Sequence, residues 1–412
     1  MKVFVIAFAC EPDRTSEPGV GWHLVGELAQ RHELTVLTRC NNRSIIEKWL
    51  ARPENQKTGK SYFRIQWRYY ELPEWFHKLK KHLPGGIQLY QEIWQYGAAR
   101  SFAATLGDYD VVHHLTFGSV FFTPWAARYS KRFIWGPIGG ATGAMEGPFL
   151  KNESWRSRLS EMFYRLVSWY SFHPMPWAGR CRQFCAAVLF RTSELARLAT
   201  FAKGKYIDVI GEAAYPHPVV TRKYAVASHP LNVVCVGRLI PLKGVKYAIA
   251  AFARFCSIGG RGTLYVYGDG PLRRELECLA ARLQVSDRVV FQGNVPNDQV
   301  LIALSKSDVL IHASFREGVS WTILEAMAHG VPVICQDRAG MRDVVTDLCG
   351  QKIAAATPNE LIEKMSVALQ AYMAEPALVE RQGLAAQARI RGQYQWHQVA
   401  ERIDAAYQEV AK

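Results

Sequence analysis

Four charged residues in the second half of the sequence have the types and spacing needed to hold a diphosphate and a sugar. Arg238 follows the apolar run LNVVCVG, and Lys243 comes five residues later. Two fixed cations beyond a strand could hold a diphosphate and stabilise it as a leaving group. Glu317 and Glu325 stand eight residues apart, and carboxylates accept hydrogen bonds from sugar and ribose hydroxyls. The pattern predicts a site for a phosphorylated sugar compound.

The residues between the two glutamates predict the start of a phosphate-binding helix. Gly318, Val319 and Ser320 lead into the helical stretch Trp321–Ala328. Amide groups at a helix start lack partners within the helix and can bind phosphate or sugar oxygens. Two glutamates at this spacing are common by chance, and it is the surrounding EGVSWTILEAMAHGVPVI that makes the signal strong.

Alternating strand and helix patterns must position these residues. The first half contains KVFVIAFA, ELTVLTR, DVVHHL and RFIWGP, with a predicted loop at Glu11–Gly21 and a helix at His23–Arg31. The second half contains LNVVCVGRL, TLYVYGDG, RVVFQGNV, DVLIHAS and VPVICQD, separated by helical segments such as Pro271–Leu283. Strand–helix–strand order favours a parallel sheet, in which ligands bind beyond the carboxyl ends of the strands. The sequence therefore predicts an α/β protein.

A chain of 412 residues is long enough for two domains. We expect a Rossmann-like domain over residues 1–212, a linker over 213–230 interrupted by Pro216, Pro218 and Pro230, and a second Rossmann-like domain over 231–390. Residues 391–412 are predicted to form a terminal docking helix, because apolar residues recur on one of its faces.

An ordered set of motifs in the second half resembles the retaining family 4 glycosyltransferases of GT-B fold. The set comprises Gly237-Arg238 with Lys243-Gly244, YGDGP, FQGNV, EGVSWTILEAMAHGVPVI and a terminal helix with a tryptophan. It covers the whole second domain and the tail, and it implies that the terminal helix packs back on the first domain. The resemblance implies two Rossmann-like domains facing each other across a cleft, a nucleotide-sugar donor on the second domain and a glycan or lipid-linked acceptor on the first.

The same resemblance implies a role for each site residue. Arg238 and Lys243 would grip the diphosphate near Gly237, Glu325 would hold the ribose, and Glu317 would contact the donor sugar. Backbone of Gly318, Val319, Ser320 and Trp321 would lie beside the sugar and phosphate, and that of Gly293, Asn294 and Val295 would face the base. The leaving phosphate would help deprotonate the acceptor with retention of configuration, so neither a metal nor a cofactor is expected. UDP is the more usual donor nucleotide, with GDP the alternative.

Two features of the first half depart from that family pattern. Gly19-Val20-Gly21 stands where many members have Gly-Gly in the first loop, which approaches the donor phosphates. Many members also place a histidine at the end of the strand that matches RFIWGP, where this chain has Trp135–Gly140. His113 and His114 end the preceding strand, and only their proximity suggests that either could replace the family histidine. A structural role for each is an equal alternative.

Charge and cysteine content bear on partners and location. The net charge is +14, and residues 1–215 hold 28 of the 50 Lys and Arg together with ten of the twelve tryptophans. This composition favours peripheral contact with an anionic membrane, and the sequence has no signature of a nucleic-acid-binding fold. Nine scattered cysteines without a CxxC motif favour the reducing cytoplasm. We expect a cytoplasmic protein with contact at the inner membrane face.

Two aromatic and basic runs leave two interpretations open. WFHKLKKHLPGGIQLYQEIW lies within residues 64–100, and SWRSRLSEMFYRLVSWYSFHPMPW lies within residues 151–185. Each could be an ordinary helix with its aromatic side chains in the core. Each could instead be an interfacial amphipathic surface for a lipid-linked acceptor in a bacterial exopolysaccharide or lipopolysaccharide pathway.

Other classes fit less well. An NAD-dependent oxidoreductase would need a third glycine in TLYVYGDGPLRRE, where Arg273 stands instead. A sugar epimerase, a sugar phosphorylase and a catalytically inactive GT-B module remain alternatives. The sequence Asp108-Tyr109-Asp110 comes before a strand rather than after one, so we interpret it as a turn and not as a metal site.

Overall fold

The computed structural model describes residues 1–14, 16–76, 86–173, 176–219, 222, 224 and 230–412. The chain divides into two compact units. The first unit comprises Met1–Ala141, Leu166–Ala213 and Trp396–Lys412, and the second comprises Thr142–Arg165 and Ala214–Gln395. Part of the expected first domain, residues 78–85 with Lys78, Lys80 and Lys81, lies outside the described residues.

The first unit is built on a parallel sheet of seven strands in the described part of the chain. Its order is β3-β2-β1-β4-β5-β6-β7, which is the Rossmann order extended by one strand. The strands are β1 (Lys2–Ala7), β2 (Glu33–Arg39), β3 (Gln66–Tyr70), β4 (Val111–Thr116), β5 (Phe133–Ile138), β6 (Cys185–Phe190) and β7 (Tyr206–Val209). The central strands β4 and β5 are buried along their whole length, because helices cover both faces of such a sheet.

The second unit repeats this arrangement with a parallel sheet of six described strands. Its order is β10-β9-β8-β11-β12-β13. The strands are β8 (Leu231–Val236), β9 (Gly262–Tyr267), β10 (Val289–Gly293), β11 (Val309–His312), β12 (Val333–Gln336) and β13 (Gly350–Ile353). The α/β class and the two Rossmann-like folds predicted from the sequence are confirmed.

Helices connect the strands of both sheets. The helices up to the second sheet are α1 (Ser16–Leu28), α2 (Cys40–Leu50), α3 (Pro53–Thr58), α4 (Gly86–Ser101), α5 (Gly147–Lys151), α6 (Trp155–Phe172), α7 (Pro176–Gln183) and α8 (Ser193–Leu198). Those that follow are α9 (Val245–Ser257), α10 (Arg273–Arg282), α11 (Asn297–Lys306), α12 (Trp321–Ala328), α13 (Ala339–Val344), α14 (Pro358–Ala374), α15 (Pro376–Gln393) and α16 (Trp396–Ala411). No described helix is long and apolar enough to cross a membrane.

Each unit has its own hydrophobic core. The first core contains the fully buried rings of Trp94, Trp135 and Phe133. The second contains those of Phe252, Phe255 and Tyr372. Burying side chains of this size is the main favourable term in folding, so each sheet is held by its own cluster.

The expectation that residues 1–212 form one continuous domain was wrong for residues 142–165. Phe149 lies in the core of the second unit, where its ring contacts Phe315 at 5.2 Å and Tyr247 at 5.7 Å between centroids. Glu161 accepts two hydrogen bonds from Arg316, both at 2.8 Å. These long-range contacts assign the segment to the second unit.

The terminal helix α16 belongs to the first unit. Tyr407 and Ile403 are fully buried, and Trp396 stacks on His23 with ring centroids 4.9 Å apart. Arg31 forms an ion pair with Glu401 at 2.9 Å, and His32 Nε2 lies 2.9 Å from a carboxylate oxygen of Asp404. Apolar burial and charged contacts together fix this helix.

Candidate functional site

The predicted donor residues gather at the carboxyl edge of the second sheet. Gly237 and Arg238 follow β8, the segment Gly293–Val295 ends β10, and Glu317 follows β11. All carboxyl ends of a parallel sheet lie at one edge, so residues far apart in the sequence meet there.

A cavity of about 480 Å³ opens at this edge. It brings together four predicted residues, Gly237, Arg238, Asn294 and Val295. It also has walls that the sequence analysis did not single out, namely Val236, Tyr267, Gly268, Asp269, Asn297 and Val300. Tyr267 and Asp269 could have been found from the YGDGP motif, because Tyr267 ends β9 and Asp269 comes just after it.

Arg238 is the exposed cation of this cavity. In the described part of the chain its guanidinium makes no ion pair and no side-chain hydrogen bond. A guanidinium presents five N–H donors in a fork that matches phosphate oxygens. Arg238 is therefore placed to bind an anion in the cavity.

Lys243 and Glu317 form a half-buried ion pair beside the cavity. Lys243 Nζ donates to Glu317 Oε1, and Ser314 Oγ donates to the same oxygen at 2.8 Å. His312 Nε2 lies 3.5 Å from that oxygen. Burial alone would raise the pKa of Glu317, but His312 and Lys243 outweigh it and hold the pKa at about 2. The carboxylate stays ionised across the physiological range.

The ion pair is held against the cavity by close backbone packing. Gly244 has φ = 63°, and a side chain there would meet the carbonyl oxygen of Ala313 at 2.1 Å. Lys243 runs over Gly237, where an added Cβ would be 3.7 Å from its Cδ. Glycine at position 244 lets the Lys243 turn pack against the strand edge, whereas the contact at Gly237 is an ordinary van der Waals distance.

A tight backbone contact also fixes the peptide between Glu317 and Gly318. The amide of Gly340 donates to the Glu317 carbonyl at 3.0 Å. A Cβ added to Gly340 would lie 1.7 Å from the Gly318 carbonyl oxygen. Gly340 was not predicted as a site residue, because no spacing rule relates it to the Glu317–Gly318 loop more than twenty residues earlier.

The start of α12 presents backbone rather than side chains. Val319 and Ser320 are buried, and the Ser320 side chain makes no capping hydrogen bond to α12. Trp321 is half-buried at the first helical position. This geometry leaves the helix start available for backbone contact with an anion.

Glu325 reaches the cavity through Asn297. The Asn297 amide donates to Glu325 Oε1 at 3.3 Å, and Asn297 itself lines the cavity. Burial raises the pKa of Glu325 to about 7, even though the Asn297 hydrogen bond acts to lower it. Further hydrogen bonds to the Glu325 carboxylate, such as ribose hydroxyls would donate, would stabilise its ionised form.

The two candidate histidines of the first unit, His113 and His114, lie within β4 and are buried in the sheet. His113 Nε2 lies 2.6 Å from the Gly136 carbonyl and Nδ1 lies 2.7 Å from the Tyr407 hydroxyl. Since a carbonyl only accepts, Nε2 donates and Nδ1 accepts. Burial lowers the pKa of His113 to about 3 and that of His114, which donates to the Thr116 carbonyl, to about 4. The structure favours the structural interpretation of both.

Gly19 and Gly21 were expected in a loop, but they lie in the first turns of α1, which begins at Ser16. A Cβ on Gly21 would meet the Ala9 carbonyl oxygen at 2.2 Å, and one on Gly19 would meet that of Arg14 at 2.1 Å. Packing of the helix start against the chain after β1 therefore explains both glycines. Their contact with donor phosphates stays a prediction.

A charged cluster at the carboxyl edge of the first sheet was not anticipated. Arg191 follows β6 and donates to Glu17 at 2.7 Å and to the Pro137 carbonyl at 3.1 Å. Glu17 also accepts the amide of Phe117, and Glu212 lies 3.5 Å from Arg191. The position of Arg191 directly after the apolar run CAAVLF was the available signal.

The Asp108–Asp110 segment is a turn, as we interpreted it. Asp110 accepts the amide of Lys2 at 2.8 Å and so joins the start of β4 to the start of β1. Within the described ranges, no three His, Cys, Asp or Glu side chains are grouped so that they could hold a metal ion.

Residues 220–389 match the sequence family described as Glycosyl transferases group 1. The chain carries a glycosyl transferases group 1 domain. This stretch contains all the donor-site residues of the second unit described above.

Curated relatives match over a little under half of the chain. The 2-deoxystreptamine glucosyltransferase of Streptomyces kanamyceticus is 28% identical over 197 residues, which is 45% of this chain and 50% of that protein. The phosphatidylinositol N-acetylglucosaminyltransferase gpi3 subunit of Schizosaccharomyces pombe is 26% identical over 44% of this chain and 38% of its own. The chain thus spans half or less of the length of these relatives.

Solved structures match the whole chain in fold. The lipopolysaccharide outer core galactosyltransferase WaaB in its apo form gives a TM-score of 0.62 at 17% identity, covering 99% of both chains. Anabaena HepE in complex with UDP gives 0.59 at 15% identity, covering 99% of this chain and 100% of its own. The fold is therefore GT-B, with two Rossmann-like units.

Proposed function

We propose that this protein is a retaining, metal-independent glycosyltransferase that moves a sugar from a nucleotide-sugar donor to a glycan or lipid-linked acceptor. The observation that carries the proposal is the cavity of the second unit together with the charged groups that adjoin it. The exposed Arg238 guanidinium lines the cavity, and Lys243, which pairs with Glu317, lies against Gly237 of its wall. Glu325 accepts a hydrogen bond from Asn297, another residue of the wall.

The cations of this site suit a diphosphate leaving group. Arg238 stands exposed in the cavity wall, and Lys243 lies next to Gly237 of the same wall. As the bond from the sugar to the phosphate breaks, negative charge grows on the phosphate oxygens. Arg238 and Lys243 would stabilise that charge without a metal ion.

The two glutamates suit different hydroxyl groups of the donor. Glu317 is permanently ionised and already accepts two hydrogen bonds, so it is a fixed acceptor for a sugar hydroxyl. Glu325 accepts a hydrogen bond from Asn297 of the cavity wall and would accept others from the ribose hydroxyls. Backbone of Gly293–Val295 would face the base next to Tyr267.

Retention follows if the acceptor attacks on the face that the phosphate leaves. The acceptor oxygen forms its bond to the anomeric carbon while the carbon–phosphate oxygen bond breaks. Its proton passes to the departing phosphate oxygen, which gains the electron pair of the broken bond. No protein base is required, and this agrees with the burial of His113 and His114.

A UDP-sugar is the donor that we favour over a GDP-sugar. Support comes from HepE, a protein of the same fold that binds UDP and UDP-glucose. The acceptor would belong to bacterial exopolysaccharide or lipopolysaccharide synthesis, and WaaB is a lipopolysaccharide galactosyltransferase of this fold. We place the reaction in the cytoplasm, at the inner face of the membrane.

A second cavity, of about 410 Å³, offers an acceptor site in the first unit. Leu89, Phe121 and Phe122 give it apolar walls, and Glu92 and Arg182 add charged groups. The Glu92 carboxylate accepts the Thr123 amide at 3.1 Å and the Trp125 indole N–H at 2.9 Å. Mixed walls of this kind suit an acceptor with an apolar chain and a polar end.

A catalytically inactive GT-B module is the second candidate, since neither candidate histidine is accessible. Transfer itself decides between the two. We would incubate the protein with UDP-sugars and a lipid-linked acceptor in the presence of EDTA, and analyse the product by mass spectrometry and NMR. An α-linked product from an α-linked donor supports the proposal. Inverted configuration or dependence on a metal contradicts it, and donor binding without any transfer favours the inactive module.

A further inference from the structure

Helix α6 turns an apolar face outward. Seven large side chains of this helix are between 46% and 68% exposed. They recur at intervals of three and four residues and so occupy about a third of the helix circumference. The seven are Trp155, Leu159, Met162, Phe163, Leu166, Trp169 and Tyr170, which we call the α6 face.

The opposite side of α6 is polar and holds the helix to the protein. Glu161 is buried, pairs with Arg316 and accepts the amide of Met145 at 3.1 Å. The Tyr164 hydroxyl donates to the Thr142 carbonyl at 2.9 Å, and the Arg316 guanidinium lies 3.4 Å from the Tyr164 ring centroid. A helix of a globular protein normally shows the reverse, with its apolar side inward.

This orientation decides between the two interpretations of the aromatic run within residues 151–185. In this run, the alternative that the aromatic side chains lie in the core was wrong for Trp155, Phe163, Trp169 and Tyr170, which are exposed. A contiguous exposed apolar surface of this extent marks a site of interaction with another molecule or a membrane.

The borders of the α6 face carry positive charge. Arg156 and Lys151 are exposed, and Arg158 donates only to the neutral carbonyls of Glu153 and Lys151. Arg165 lies 3.8 Å from the exposed Glu146, which offsets one charge. Glu161, the acidic residue within the helix, faces inward, so the border is net positive.

This charge pattern favours an anionic membrane over a second copy of the chain. A second copy would bring the same cations against this border, and the whole chain already carries +14. Anionic lipid headgroups attract Lys and Arg, and Trp and Tyr prefer the boundary between headgroups and acyl chains.

We infer that α6 lies parallel to the plane of an anionic membrane, with the α6 face at the boundary between headgroups and acyl chains. The arginines and Lys151 contact the lipid phosphates. Membrane binding of this kind depends on the α6 face and its charged border and not on the donor site of the second unit.

The test is flotation of the full chain with vesicles of phosphatidylcholine alone or mixed with phosphatidylglycerol. We expect binding to the mixed vesicles and little to phosphatidylcholine. The triple variant Leu159→Gln, Phe163→Gln and Leu166→Gln should lower binding by about tenfold or more. A matched control removes equally exposed apolar side chains elsewhere, Ile302→Gln, Leu348→Gln and Leu384→Gln, and should bind like the unchanged protein.

Two further measurements make each outcome decisive. Both triple variants should keep the melting temperature, since the side chains are exposed, and Glu325→Ala should bind vesicles normally even when donor binding fails. Equal binding by both triple variants, or no binding of the unchanged protein to anionic vesicles, overturns the inference. So does light scattering that shows a dimer dissociated by the α6 variant, because a second copy would then cover the face.

Discussion

At the scale of single residues, the two glutamates of the donor site differ through their neighbours. Glu317 lies beside Lys243 and His312, and its pKa is held at about 2. Glu325 has the Asn297 amide as its partner, and burial raises its pKa to about 7. One carboxyl is therefore ionised at all working pH values, and the other titrates near neutrality.

Donor affinity should depend on pH through Glu325. Ribose hydroxyls stabilise the ionised carboxylate, so binding releases a proton when the free carboxyl is protonated. Affinity for a nucleotide-sugar should rise about tenfold from pH 6 to pH 8 and level off above. Calorimetric titration measures this, and a nucleotide-sugar is the suitable ligand because its phosphates do not titrate near neutrality. Glu325→Gln should bind with a flat pH profile, and a profile unchanged by that substitution would refute the role.

Removing Arg238 should damage transfer without unfolding the protein. The guanidinium is exposed and makes no described ion pair, so Arg238→Ala should leave the melting temperature within about a degree. Loss of charge stabilisation should lower kcat/KM on the order of 10²- to 10³-fold. Arg282→Ala, which removes another exposed arginine of the same unit, is the control for overall charge. Full turnover in Arg238→Ala would contradict the assignment.

Sequence reasoning found the residues that follow predicted strands and missed their partners. Arg238, Glu317 and Glu325 stand in motifs that can be recognised along the chain. Asn297 is the first residue of α11, 28 residues before Glu325, and no spacing rule joins them. Only the fold, which brings the strand ends to one edge, shows that Asn297 touches Glu325.

At the scale of elements, the loop that carries Glu317 depends on close backbone packing. The Gly340 amide at the start of α13 holds the Glu317 carbonyl, and the Gly318 carbonyl lies against the Gly340 Cα. The position of the Glu317 carboxylate is thus set partly by Gly340, which does not line the cavity.

Gly340→Ala should therefore disturb both stability and donor binding. The added Cβ would meet backbone, which cannot rotate away, so we expect a loss of about 1–3 kcal/mol in unfolding free energy. Urea denaturation and donor titration measure the two effects. Gly392→Ala is the control, because nothing lies within 4 Å of that Cβ and alanine favours a helix. If Gly340→Ala matched this control, the packing argument would be wrong.

The hydrogen bond from Tyr407 to His113 should be structural and not catalytic. Tyr407→Phe leaves a buried ring nitrogen without a donor, which should lower the unfolding free energy by about 1–3 kcal/mol. Turnover at a temperature where the variant is folded should not change. Tyr265→Phe, at a half-buried position of the other unit, controls for loss of a hydroxyl. A large fall in kcat with unchanged stability would instead support a catalytic role for His113.

The elements that sequence reasoning missed are mostly strands at sheet edges. β3, β7 and β13 are edge strands, and their apolar patterns are weak. No residue of β3 or β7 is fully buried, and in β13 only the two end residues are. β6 differs, because it is internal and almost fully apolar and could have been recognised. Trp321–Ala328 was predicted with its observed bounds, since its start is marked by Gly and Ser.

At the scale of the whole molecule, the chain combines two sheets, each with its own core, and a strong positive charge. Residues 142–165 belong to the second unit through contacts of Phe149 and Glu161 that no local pattern reveals. Sequence could likewise indicate an amphipathic α6 but not which face lies outward. Long-range contact decides both questions.

The central claim is that the second unit binds a nucleotide-sugar through Arg238, Lys243, Glu317 and Glu325. The most direct test is a thermal-shift series with UDP, GDP, ADP, their sugar conjugates and NAD(P), each with and without EDTA. We expect one nucleotide and its sugar conjugate to raise the melting temperature, with or without EDTA. Glu325→Ala should lose this shift, and Arg282→Ala should keep it. No shift with any nucleotide, a shift only with NAD(P), or an unchanged shift in Glu325→Ala would contradict it.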